Sequence, residues 1–294
     1  MWTKAGISST SDSGPDDIVL RLTALGLLLR PMGPWEVRPI ILAIAGMSLL
    51  LPRVLRASAT WYALAGLVAV RIVVDWPLSD NHIYLLAYWC LALALALGTV
   101  NGQRILNTSS RLLIGLVFLM AVVWKVALSP DYLDGRFFRV TFITDERFAT
   151  SALLFGGLTE SQLDGNREYL WPLPDGAEIL DGPALVEPHA FRIMVALLTW
   201  GGVIGEALIA ATFLLSLAGW NLAVRHLLLL TFCAVTYALA PVAGFGWLLL
   251  TMGLVSCTKE QRLLRGAYIS TWLLVLLYSE IPWAEVLKDW LRVV

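Results

Sequence analysis

The stretch RLLIGLVFLMAVVWKVALSPDYLDGR, Arg111 to Arg136, decides how the rest of the chain is read. It stays apolar from Leu112 to Trp124, admits Lys125, and continues to Leu128 before Pro130 stops it. Such a run reads as a transmembrane helix, because the hydrocarbon core of a bilayer takes about 20 apolar residues to cross. A charged amine at the centre of such a helix costs ~2.5–3.5 kcal/mol, so it snorkels to the headgroups, pairs, or serves a site. Lying three residues from the helix end, Lys125 is open to all three. An amine desolvated in apolar surroundings is favoured in its neutral form, the form that accepts a proton.

Working outward, the composition agrees with a membrane helix. The chain is 58% hydrophobic and 15% charged, with a mean hydropathy of +0.74, which points to an all-α polytopic membrane protein. A net charge of −1 without a basic tract excludes nucleic acid as a partner. Residues 1–17 are polar and lack the charged-then-apolar pattern of a signal peptide, so a retained, disordered tail is expected ahead of one transmembrane domain, 18–294. Cys90, Cys233 and Cys257 lie in apolar segments without a CxxC pair and read as reduced packing residues. His82, His189 and His226 have no metal-ligand spacing, so no metal is predicted.

Apolar segments run from Ile18 to Leu29, Pro39 to Leu51, Trp61 to Val74, Ile83 to Val100, Leu112 to Leu128, Phe191 to Leu217, Leu222 to Ala240, Phe245 to Cys257 and Ala267 to Ile281. They predict a bundle of eight to nine transmembrane helices; the first, with Arg21 and Arg30, either spans or lies in the interface. If the segments alternate, Arg53, Arg56, Arg104, Arg111, Arg225, Lys259, Arg262 and Arg265 fall on one side, which the positive-inside rule makes cytoplasmic. The loop 129–189, with eleven acidic residues and four arginines, then lies on the other face, outside a bacterial inner membrane, which is the expected setting, or in the lumen of an endomembrane. Within it RFFRVTFITDERFATSALLFGG is amphipathic and WPLPDGAEILDGP is rich in turn residues, predicting a membrane-surface part and a flap behind it.

That topology gathers unusual residues near the outer face. Arg71 and Asp75 have the four-residue spacing of a helical ion pair. Asp80 is placed to cap the helix opened by Asn81 and His82. Lys125 and Tyr237 lie toward the same face, and together these groups predict a cavity for proton chemistry on an amphiphile entering from lipid. Glu206, about fifteen residues into its segment, sits at mid-membrane depth or below; it pairs across the bundle or stays protonated. Gly201, Gly202 and Gly205 beside it favour close helix approach and a structural role. The thirteen tryptophans read chiefly as interface anchors.

Three stretches resemble the transmembrane part of vitamin K-dependent gamma-carboxylase and its bacterial relatives, the horizontally transferred transmembrane domain (HTTM) family. SDNHIYLLAYW, Ser79 to Trp89, is similar to the family's Asn-His-x-Tyr-Leu motif. WKVALSPDYLDG resembles the segment of its lysine base, and the Gly-Gly helix with Glu206, followed by GFGW at Gly244 to Trp247, resembles its acidic position and Gly-Phe stretch. The three occur in the family's order, between about Trp61 and Thr258.

The resemblance implies a quinol substrate such as a vitamin K hydroquinone, with O2, and CO2 where a glutamyl peptide is carboxylated. It implies Lys125 as the catalytic base and His82 as a partner of the oxygen-bearing ring. Asn81, Tyr84, Arg71, Asp75 and Tyr237 are the expected substrate-binding residues, and Glu206 the proton-linked or structural one. Two departures stand out: the family's histidine before the Gly-Phe stretch is missing around Cys233 to Tyr237, and the lysine-to-Gly interval is longer. The chain ends at Val294, so carboxylation of a peptide is expected to need a separate soluble subunit or the loop 129–189. Two other readings are a non-catalytic membrane partner in maturation or export of a small peptide, and a DoxX-like quinone oxidoreductase subunit.

Overall fold

A computed structural model of the chain describes residues 14–30, 33–77, 79–170, 185–220, 222–239 and 243–278, with Val286, Asp289 and Trp290. Most of the polar tail, the WPLPDGAEILDGP flap and the end of the last apolar segment lie outside the described residues. All the described regular structure is helical.

Caps and prolines set the first boundaries. α1 (Asp17–Leu29) is opened by Asp16, whose carboxylate accepts from the Ile18 amide at 3.1 Å. α2 (Arg38–Leu50) has Pro39 in its first turn and closes at Leu51, because the residue before Pro52 is pushed out of the helical region. Pro52 opens the single turn α3 (Pro52–Leu55), and α4 (Ser58–Val74) and α5 (Asn81–Leu97) then pack closely along each other. Asp80 stands at the N-cap of α5 with extended backbone, but its side chain makes no capping bond, contrary to expectation. The carboxylate lies within electrostatic reach of His82.

α6 (Gly102–Val123) continues through a π turn at Trp124–Leu128, giving one rod of 27 residues that is apolar from Leu112 onward except for Lys125. The acidic loop follows as α7 (Pro130–Leu133), α8 (Arg136–Thr144), a 3-10 turn at Glu146–Phe148, α9 (Ala149–Leu154) and α10 (Glu160–Leu170). α11 (His189–Leu217) has 29 residues and packs extensively on α6. α12 (Val224–Leu239), α13 (Ala243–Val255) and α14 (Arg262–Tyr278) complete the bundle.

Small residues opposite large ones bring the helices together. A Cβ on Gly115 would lie 2.6 Å from Leu214, so this glycine lets α6 approach α11. Gly201 meets nothing within 4 Å and Gly205 makes only an ordinary contact with Phe232, so close approach is not where the Gly-Gly pattern places it. Gly26 lies against the Trp247 ring and Val19, Leu20, Ala24 and Leu27 are buried, which seats α1 in the core rather than flat in an interface.

Four tryptophans expected at interfaces, Trp61, Trp89, Trp247 and Trp272, are fully buried. Three have their indole N–H satisfied internally: Trp61 donates to Leu55 O at 2.8 Å, Trp89 to Thr23 Oγ1 at 3.1 Å, and Trp272 to Thr251 Oγ1 at 3.1 Å. The three cysteines are free and buried, as their apolar neighbours predict.

The acidic loop forms a second small core. Phe142, Ile143, Phe148, Ala152, Leu158 and Leu163 pack on Phe191 and Val195 at the start of α11. Asn166 locks the return of the chain, donating to Val186 O at 2.9 Å and accepting from Val186 N at 2.8 Å. The amphipathic part of this segment is therefore a folded cap seated on α11.

Gly102–Leu128 and His189–Leu217 are long and apolar enough to cross a membrane, about 40 Å each at 1.5 Å per residue. The apolar helices Arg38–Leu50, Ser58–Val74 and Asn81–Leu97 are shorter, 13–17 residues. Only 17% and 33% of the most apolar windows of the two long helices is buried. Leu112, Leu116, Leu119 and Val123 on α6, and Ile193, Leu197, Trp200, Ile204 and Leu208 on α11, face outward in helical stripes.

Candidate functional site

Lys125 sits inside the π turn, next to the point where Pro130 removes the amide that would continue the α-helical ladder. Its ammonium does not reach outward to a headgroup. Nζ lies 2.5 Å from Glu206 Oε1, with the two side chains 18% and 10% exposed, so the pair is largely withdrawn from water. Glu206 comes from the buried face of α11 that also carries Val195, Thr199 and Val203. Glu206 Oε2 and Thr199 Oγ1 are buried without a hydrogen-bond partner among the described residues.

The turn after Lys125 closes over this pair. Tyr132, 6% exposed, places its ring centroid 4.8 Å from Lys125 Nζ, in cation–π range. Gly202 makes room for it, since a Cβ there would lie 3.3 Å from the Tyr132 hydroxyl. Burial first, and the Glu206 charge second, hold the phenol well above its usual range, so it remains a proton donor in hydrogen bonding. Gly135 has φ +79°, and a Cβ there would lie 2.8 Å from Val195. Only glycine combines that backbone with that approach, which anchors the turn on α11. Tyr132 stacks on Phe137 at 5.4 Å and meets Phe138 edge-on at 5.5 Å, tying the site to the cap.

The remaining expected residues divide between this site and a second place, instead of sharing one cavity. Arg71 Nε donates to Asp75 Oδ2 at 3.0 Å, as the four-residue spacing predicts. Arg71, His82 and Gly244 line a cavity of about 360 Å³ together with Arg38 and Gly33. Among the described residues no hydrogen bond or ion pair joins His82 to Lys125 or Glu206. Asn81 is exposed and Tyr84 half-buried.

Tyr237 is buried, within electrostatic reach of Glu206, and its ring fills the space opened by Gly246. The GFGW stretch thus separates the two places: Gly244 accommodates His82, Gly246 accommodates Tyr237, and Trp247 meets α1. Tyr132 is the residue that sequence reasoning passes over. It lies inside the quoted PDYLDG, but no spacing rule places an aromatic ring over an amine seven residues back.

A lysine and a carboxylate at hydrogen-bond distance, shielded by an aromatic lid, can exchange a proton and offer one to a third group. The surface around them is apolar: Trp124, Val126 and Leu128 are 62%, 51% and 60% exposed. Among the described residues no group of three or more His, Cys, Asp or Glu side chains converges on one point. Comparison of the chain with protein-family models, with curated proteins and with solved structures returns no match.

Proposed function

We propose that this chain is a polytopic membrane enzyme of the gamma-carboxylase-like kind, in which Lys125 takes a proton from a quinol at the outer leaflet. The observation that carries the reading is the Lys125–Glu206 contact of 2.5 Å in a π turn ringed by exposed apolar side chains. Glu206 takes up the proton that Lys125 must shed to act as a base, and Tyr132 covers the amine on its protein side. An apolar ring carrying hydroxyl groups reaches the amine laterally, past Trp124 and Val126, without crossing the cap. The oxygen chemistry belongs to the quinol and O2.

A membrane setting with eight to nine spans is part of the proposal. It is supported by the outward apolar stripes, which in water would be a large uncovered patch. Helix ends also segregate: the ends of α1 and α4 and the starts of α5 and α13 meet at the His82 cavity. The basic turn before α14 lies with the start of α1 at the opposite end. By the positive-inside rule the cap 129–189 is then extracytoplasmic.

The test is turnover of reduced naphthoquinone with O2 by protein in lipid, read by mass spectrometry as the epoxide. Native protein is expected to form it, and Lys125→Ala and Lys125→Arg are not, because arginine keeps the charge but does not give up its proton. Absence of turnover by folded native protein overturns the enzyme reading. It favours the alternative in which the same pair is structural glue in a non-catalytic partner of a small peptide, consistent with the amine already being satisfied by Glu206.

A further inference from the structure

A second polar cavity, of about 540 Å³, lies at the other end of the bundle, between the start of α1, the first turns of α6 and the turn joining α13 to α14. Its volume falls in the ~300–1,000 Å³ range of small-molecule sites. Arg111, on its wall, is fourteen residues before Lys125, so about 21 Å of helix separates it from the site above.

The charges lining it are unevenly matched. Arg56 pairs with Asp17 at 2.8 Å and Arg265 with Asp16 at 2.6 Å. Arg111 pairs with no carboxylate among the described residues, its Nε is buried without an acceptor, and the neighbouring charge it feels is a second arginine, Arg225. Arg225, 7% exposed, also has an unpartnered Nε. Arg225 lies behind the wall and donates from Nη1 to Leu222 O at 3.5 Å, so its charge adds to that of the partly buried Arg111 without a carboxylate between them, and an anion in the cavity would offset both.

The uncharged groups on the same wall are unsatisfied too. Ser256 is 5% exposed, and its hydroxyl has no partner. Gln103 and Asn107 also line the cavity, and their buried Oε1 and Oδ1 lack donors among the described residues, so a side-chain rotation would turn them to a ligand. Water satisfies neutral groups of this sort but brings no negative charge to Arg111. A ligand that suits all four offers anionic oxygens and hydroxyl groups together.

We propose that this cavity binds a phosphate ester carrying free hydroxyls, with the phosphate on Arg111 and Ser256 and the hydroxyls on Gln103 and Asn107. The chemistry is shared by a phosphatidylglycerol headgroup from the adjacent leaflet and by soluble glycerol phosphate. The experiment is native mass spectrometry of the full chain released from detergent. It is offered dioleoyl phosphatidylglycerol, dioleoyl phosphatidic acid or dioleoyl phosphatidylcholine, each with and without glycerol 3-phosphate.

Native protein is expected to retain one phosphatidylglycerol in preference to the other two lipids, with affinity about tenfold lower in Arg111→Gln and reduced in Ser256→Ala. The serine variant deletes one hydroxyl, so it keeps the test valid if the arginine variant fails to fold. Displacement by glycerol 3-phosphate assigns the site to a soluble ligand, and retention of the lipid assigns it to the leaflet. Equal retention of phosphatidylcholine, equal binding by the folded variants, or no binding of either phosphate overturns the proposal. Phosphatidic acid bound as well as phosphatidylglycerol overturns the roles of Gln103 and Asn107.

Discussion

At the scale of single residues, the Lys125–Glu206 pair makes a thermodynamic statement that can be checked apart from any chemistry. Removing one partner leaves a charge stranded in an apolar environment, which costs about 3–5 kcal/mol, whereas replacing both by apolar groups of similar size is close to neutral. Lys125→Met and Glu206→Leu are each expected to lower unfolding stability in lipid by that order, and the double variant to recover most of the loss. A thermal or denaturant cycle measures this, and additive losses would mean that the two groups do not hold each other. Both residues are conspicuous in the sequence as charges in apolar runs. Their partnership is not, because 81 residues separate them and nothing local encodes the contact. The same holds for Arg111, read from the sequence only as one of the cytoplasmic-side cations, and for Ser256, which no sequence pattern singles out; the cavity places them on one wall.

At the scale of elements, punctuation was the legible part. Pro39, Pro52 and Pro130 mark the ends and starts of helices, and the apolar segments correspond to α1, α2, α4, α5, α6, α11, α12, α13 and α14. The cap is less legible because its helices are held by tertiary contacts and not by length. Its 3-10 turn shows how local charge helps: Asp145 caps it, accepting from the Arg147 amide at 3.0 Å and from the Arg147 guanidinium at 2.6 Å. The Arg147 side-chain bond is the main cause that holds the Asp145 carboxyl below its ordinary 3.8.

The folded state therefore binds this proton less readily than the unfolded state. The stabilisation is complete above about pH 5 and is lost as pH falls through the depressed value. Because the pair faces water, its size is at most about 1 kcal/mol. The protection factors of the cap amides, taken relative to intrinsic exchange at each pH, are expected to fall between about pH 5 and 3, and Asp145→Asn to flatten that dependence. An unchanged slope in the variant would move the acid sensitivity elsewhere.

At the scale of the whole molecule, the outward apolar stripes predict how the chain sits. Those on α6 and α11 face outward although the core is also apolar, while charged groups gather at the two end cavities and at the Lys125–Glu206 contact. With the native cysteines buried, Ser161→Cys in the cap is expected to react with a membrane-impermeant maleimide in intact cells, and Glu260→Cys only after permeabilisation. The reverse pattern would invert the topology, and labelling of both in intact cells would remove the membrane-spanning arrangement.

Composition and the order of apolar runs by themselves determined an all-helical chain, the helix boundaries near prolines, and the charged residues that demand a partner, because these depend on local steric rules and on the cost of desolvation. Only the tertiary structure decided that Lys125 turns inward to Glu206 beneath Tyr132, that His82 belongs to a different cavity, and that four tryptophans are core. Those outcomes depend on which helices pair and on where Gly26, Gly115, Gly202 and Gly246 let large side chains in, and packing across the bundle leaves no periodic mark in the sequence.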